Sequence, residues 1–234
     1  MNRRTDLSNV LIFRMLGGLC NLIMVNLLFL ATCLPIITIG ASLTGLSRVT
    51  LKMIQHQDPS VLKDYFGAFK KHFKESTIIW LICLFAGAFF TIDLYVIFTQ
   101  IDQQYKLLQI PVWIFLFIIA SILIYAFPLI SSYPDKIKAT LKNSVLLSLG
   151  NIPVTIMALA IPFFLAKFAV SGDGERLITV FSIMVFFGCA LLSYIANFFI
   201  NRVFIKVTGK DPELIDDPDE AEESDDNDSS DDDE

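Results

Sequence analysis

The chain has 234 residues, of which 54% are hydrophobic and 21 are phenylalanine, and its mean hydropathy is +0.61. Only 18% of residues are charged, too few to solvate an ordinary soluble domain, where about a quarter are charged. The net charge of −6 hides two unlike parts: residues 211–234 hold 15 acidic and no basic residues, so residues 1–210 carry a net charge of +9. These figures exclude a soluble globular domain and point to an all-α, polytopic membrane helical bundle (residues 1–210) followed by a disordered acidic tail (211–234).

Five stretches are long and apolar enough to cross a bilayer: Met15–Leu34, Thr77–Thr99, Ile110–Ile130, Asn151–Val170 and Leu177–Ile200. The first, preceded by Arg3, Arg4 and Arg14, reads as a signal anchor rather than a cleaved leader. From Met15 to Ser47 there are 33 positions without a charge, more than one span uses. With five crossings the basic residues divide twelve to five; with Ile36–Ile54 as a sixth, less apolar span they divide fourteen to two. The positive-inside bias favours six crossings with both termini in the cytoplasm, a re-entrant segment being the alternative. Pro35 and Gly40 mark the hairpin between the first two segments, and Gly40, Ala41 and Gly45 allow close helix packing. Arg48 falls inside the second segment, where a charge costs about 2.5–3.5 kcal/mol, so its face must turn inward. Helical spacing puts Ala41, Gly45, Arg48 and Lys52 on that face.

Residues 59–76 predict an amphipathic cytoplasmic helix. Val61, Leu62, Tyr65, Phe66, Phe69 and Phe73 form one face, with Lys63, Asp64, Lys70, Lys71 and Lys74 over the rest. Asp58 is its expected cap and Pro59 its first turn. It lies on the lipid headgroups or packs on the bundle; nucleic acid is excluded, because the aromatic face is needed elsewhere. Residues 133–149 repeat the theme, which suggests two units, 60–131 and 134–200, each a surface helix followed by a helical hairpin.

Among polar residues within spans, Asn21 and Asn26 lie in the first, Asp93 in the third, Lys167 in the fifth and Asn197 in the sixth. Asp93 and Lys167 share a depth, so they either pair or each reach interfacial water. Trp80 and Trp113, near span starts, read as interfacial anchors. Cys20, Cys33, Cys83 and Cys189 sit singly in apolar runs and form neither a disulfide framework nor a zinc set. No nucleophile elbow, phosphate-binding loop, HExxH or dinucleotide fingerprint occurs, so the expectation is no enzyme, no metal and no cofactor.

The run Asn26-Leu27-Leu28, then Leu34-Pro35-Ile36-Ile37-Thr38-Ile39-Gly40, then Gly45-Leu46, Val49 and Lys52, resembles the hallmark of the YesL-like family of bacterial membrane proteins. Asp64-Tyr65-Phe66, Phe69-Lys70 and Phe73-Lys74 resemble its second signature; Tyr133-Pro134, Lys142-Asn143-Ser144, Asn151 and Pro153 fit as well. The resemblance covers residues 10–210. The family is one of unknown function, often encoded beside sugar-uptake systems. It implies a multi-pass cell-membrane protein, an accessory or regulatory component of carbohydrate uptake, with membrane lipids and sugar-permease components as partners. A small transporter acting alone and a lipid- or envelope-associated protein are the alternatives. The candidate functional residues are Asn26, Pro35, Thr38, Gly40, Arg48, Lys52, Asp64, Phe66, Phe69, Lys70, Phe73, Lys74 and Asp93.

Overall fold

A computed structural model of the chain describes residues 3–57, 59–100, 107, 109–133, 136–170 and 174–208. The acidic tail, Asp58 and Pro134 lie outside the described residues. Among the described residues the elements are all helices, joined by short turns, with no strand. α1 (Arg3–Thr32) ends in a turn that passes through a short 3-10 segment, Ile36–Thr38, into α2 (Ile39–Ile54). α3 (Val61–Lys71), α4 (Phe73–Gln100) and α5 (Gln109–Ser132) follow; then come α6 (Ile137–Gly150), α7 (Ile152–Val170) and α8 (Gly174–Ile183). A π-helical segment, Met184–Gly188, joins α8 without a break to α9 (Cys189–Thr208).

The burial pattern is inverted relative to a water-soluble protein. α4, α5 and α7 are apolar on every side, yet Phe85, Phe89, Ile92, Phe163 and Phe164 are exposed. Asn26, Ser42, Thr44, Arg48, Thr50, Lys52, Asp64 and Asn197 are buried. A helix that is hydrophobic all round belongs in a protein core or in lipid, and exposed faces of this kind fit lipid. This is a multi-pass membrane protein: three helical stretches, Phe73–Thr99, Gln109–Ser132 and Cys189–Val207, are long and apolar enough to cross a bilayer. A fourth is added when α6 and α7, which meet at 98°, count as one bent span. α2, at 16 residues, is shorter than these.

α2 is the hub. It packs on α1, α3, α4, α5 and α9, and all its residues from Gly40 to Lys52 except Leu43 are buried. The expected inward face of Ala41, Gly45, Arg48 and Lys52 is inward, but so is Leu46, because neighbours enclose the helix on nearly all sides. Small residues make this possible. A Cβ on Gly45 would lie 2.9 Å from the Tyr65 carbonyl oxygen, and one on Gly40 would strike the backbone of Ser76.

The order surface helix, then long helices, recurs as α3–α4–α5 and as α6, α7 and the run from α8 to α9. α6 meets α7 nearly at right angles, as a surface helix leading into a span would. α3 differs from expectation at both ends. It starts at Val61 with no side-chain cap bond, and His72 separates it from α4, which begins at Phe73 rather than Thr77.

Candidate functional site

The chemistry concentrates where α2 meets α3. Lys52, one turn beyond Arg48, places its Nζ 2.6 Å from Asp64 Oδ1, and the two side chains are only 10% and 5% exposed. The sequence reading put Asp64 on the outer polar face of α3. Its actual place is the inner face, with Val61, Tyr65 and Ala68, because a buried lysine on α2 needs a counter-ion there. Asp64 Oδ2 has no hydrogen-bond partner among the described residues.

Arg48 Nη1 donates to the Ser131 carbonyl oxygen at 3.1 Å, in the last turn of α5. Thr44 and Ser76 hydroxyls lie 2.7 Å apart and tie α2 to α4. Asn197 Nδ2 donates to Thr50 Oγ1 at 2.7 Å, and Gln55 Nε2 to Asn201 Oδ1 at 3.4 Å, which ties α2 to α9. Tyr65 is fully buried and shares a 2.5 Å hydrogen bond with Thr32 at the end of α1. Burial pushes its phenol up to about 12, against the opposing effect of that bond. His72, between α3 and α4, has its pKa lowered by burial, which the 3.6 Å contact with Glu75 opposes and the charges of Lys71 and Arg48 reinforce.

Two further devices close the backbone. Asn26 Nδ2 donates to the carbonyl oxygens of Val185 (2.7 Å) and Met184 (3.2 Å), and Asn26 Oδ1 accepts from the Ala190 N–H at 2.9 Å. Val185 and Ala190 are five residues apart, the spacing of a π turn, so one amide spans the irregularity. In the turn after α1, Thr38 Oγ1 lies 2.6 Å from the Thr32 carbonyl oxygen and 2.7 Å from that of Pro35. Trp80 Nε1 donates to the Ile36 carbonyl oxygen at 2.9 Å. Trp80 is therefore a fastener for this turn as well as a residue near a span start.

The predicted residues divide into groups. Gly40, Arg48, Lys52 and Asp64 converge on α2, while Asn26 serves the π segment and Pro35 and Thr38 shape the turn. Phe69 packs on the core around Tyr65, while Phe66, Phe73, Lys70 and Lys74 face outward. The expected aromatic face is thus split: Tyr65 goes inward and Phe66 outward. Asp93 is half-buried, Lys167 is exposed, and no ion pair joins them. Sequence reasoning missed the hydroxyls Thr44, Ser76 and Ser42, the Trp80 bond and His72. It also missed the buried stripe Thr140, Ser144, Ser148 on α6, whose four-residue spacing was the available signal.

No group of three or more His, Cys, Asp or Glu side chains that could hold a metal ion occurs among the described residues. Residues 22–94, which enclose α2, α3 and their partners on α4, match the family model described as a protein of unknown function, DUF624. The chain is 28% identical over 192 residues to the uncharacterized protein YteU of Bacillus subtilis (strain 168), a match covering 80% of this chain and 82% of that protein. No solved structure matches.

Proposed function

We propose, from the premise that residues 22–94 are of the DUF624 family, that the chain is a non-enzymatic cell-membrane protein acting as an accessory or regulatory component of carbohydrate uptake. The link to carbohydrate comes from the family resemblance. The observation that carries the accessory role is how the interior charges are used. Lys52 and Asp64 neutralise each other and Arg48 bonds the end of α5, so the polar interior fastens helices together. The open cavity among α1, α2, α5, α7 and α9 is 280 Å³ and mostly apolar, a poor match to a sugar that needs many hydroxyl partners.

The arrangement in the membrane that fits best is four crossings, by α4, α5, α7 and the run from α8 to α9, with α1 and α2 as a re-entrant hairpin. At 16 residues α2 is about 24 Å long. Its named partners are Ser76 early in α4, Ser131 at the end of α5, and Asn197 and Asn201 in the second half of the run from α8 to α9. All lie toward the ends assigned to the cytoplasm. Four crossings plus a hairpin leave every charged loop on the same side as six crossings do and move only the uncharged turn between α1 and α2, so the fourteen-to-two division of basic residues is preserved.

A second reading, passage of a small solute, draws on the same cavity. Pro128 and Pro162 lie inside α5 and α7 there, each removing one backbone donor, and Ser47, Ser193 and Asn197 contribute polar atoms. Mild-detergent purification of the N-terminally tagged chain from its native membrane, with mass spectrometry of what accompanies it, separates the two. Stoichiometric recovery of a sugar permease is expected. Recovery of the chain alone overturns the accessory role, and solute flux in reconstituted vesicles would then test the second reading.

A further inference from the structure

A groove of 630 Å³ runs between α4, α5 and α6. Its walls are hydrocarbon: Ile82 and Ala86 on α4, Ile118 and Ile122 on α5, Val145 and Leu149 on α6. At the end farthest along α4 and α5 from α6 lie the rings of Phe90 and Phe115, stacked 4.8 Å apart and nearly parallel. The one charged lining residue is Lys142, on α6. Lys138 lies one turn earlier on the same side of that helix, and both lysines are exposed.

α6 itself is inside out. Thr140, Ser144 and Ser148 are buried, while Leu146 is 65% and Leu149 52% exposed. It meets α7 at 98°. A helix that turns hydroxyls toward the protein and leucines outward, at right angles to an apolar helix, suits the plane of the membrane surface with its leucines among acyl chains. Lys138 and Lys142 share that outward side with the leucines, so their long side chains carry the ammonium groups up to headgroup level, and the groove leads from Lys142 into the hydrocarbon.

We propose that this groove is a binding site for one anionic phospholipid, with an acyl chain along α4 and α5 and the phosphate held by Lys142 and Lys138. Both parts of that ligand are matched by what surrounds it. The walls supply no hydrogen-bonding partner for a polar ligand, and the cationic mouth selects a negative headgroup. A neighbouring apolar helix would fill the walls but would have no use for the lysines.

The test uses the full chain in mild detergent, titrated with phosphatidylglycerol or phosphatidylcholine and read by native mass spectrometry. One phosphatidylglycerol is expected to bind about tenfold more tightly than phosphatidylcholine. The surface variant K138Q/K142Q, which disturbs no buried contact, should erase that preference. Ala86→Trp should weaken both lipids by filling the groove. Equal binding of the two lipids, or a preference that survives K138Q/K142Q, overturns the site. A photo-crosslinking residue at Ile82 in native membranes should capture lipid; capture of a protein there instead overturns the lipid assignment and makes the groove a helix-docking surface.

Discussion

Lys52 and Asp64 form a buried ion pair, 2.6 Å from Nζ to Oδ1, between the central helix and the helix that follows it. Leaving either charge alone in that setting is expensive, about 3–5 kcal/mol. Lys52→Met or Asp64→Leu alone should therefore lower the melting temperature in detergent sharply. The double variant K52M/D64L should recover most of the loss, because the pair is replaced by hydrocarbon instead of being broken. Additive losses in the three variants would show that the two side chains act separately.

The Asn26 amide carries both halves of a backbone repair, so no apolar residue replaces it. Asn26→Leu strands the Ala190 N–H and the Val185 carbonyl, at about 1–3 kcal/mol for each buried group left unpaired. Asn26→Asp keeps an acceptor for Ala190 but sets a carboxylate against two carbonyl oxygens, and should be at least as harmful. Thermal unfolding of both variants, with Asn21→Leu as the control at the half-buried neighbour, checks this. Equal stability of Asn26→Leu and the parent chain would dismiss the clamp.

How far the sequence could be read depends on the range of the interaction. The charge-free run of 33 residues exposed the presence of α2, and the cost of Arg48 dictated that its face turn inward; both are local properties. Pro35, Gly40 and Gly45 were legible because a turn and close packing restrict residue type. Asp64 was misplaced because lysines surround it in the sequence, while the lysine it pairs with lies twelve residues earlier on another helix. Asn26 was identifiable as a polar residue in a span, but its partners are 158 to 164 residues away and belong to an irregularity that hydropathy cannot show. Charge counting separated even from odd numbers of crossings. It could not separate six crossings from four plus a hairpin, since both put the same charged loops on the same side.

That ambiguity yields to chemistry at the turn. In a background free of Cys20, Cys33, Cys83 and Cys189, Leu34→Cys and Ile37→Cys should resist a membrane-impermeant maleimide from either face and react once the membrane is dissolved. Both positions are exposed and apolar, as suits a turn lodged in hydrocarbon whose carbonyls are already occupied by Thr38 and Trp80. Labelling from outside in intact cells would instead require α2 to be a full span. Trp80→Phe should raise reactivity at Ile37→Cys by removing the bond to the Ile36 carbonyl.

His72 makes stability depend on pH in a definite direction. Its pKa in the folded chain is lowered from the ordinary value of 6.5, chiefly by burial, with Lys71 and Arg48 acting the same way and Glu75 opposing. Well above pH 6.5, near pH 8, the imidazole is neutral in both folded and unfolded chains and contributes no pH dependence. As pH falls through 6.5 the unfolded chain takes up a proton that the folded chain resists, so folding weakens. The melting temperature should therefore decline between pH 7 and pH 5, and His72→Gln should flatten that decline while leaving the value at pH 7.5 nearly unchanged. Glu75→Gln removes the one group that favours the protonated ring, so it should steepen the decline. A steeper slope in the histidine variant than in the parent chain would reverse the sign assigned to this residue and place the pH sensitivity elsewhere in the bundle.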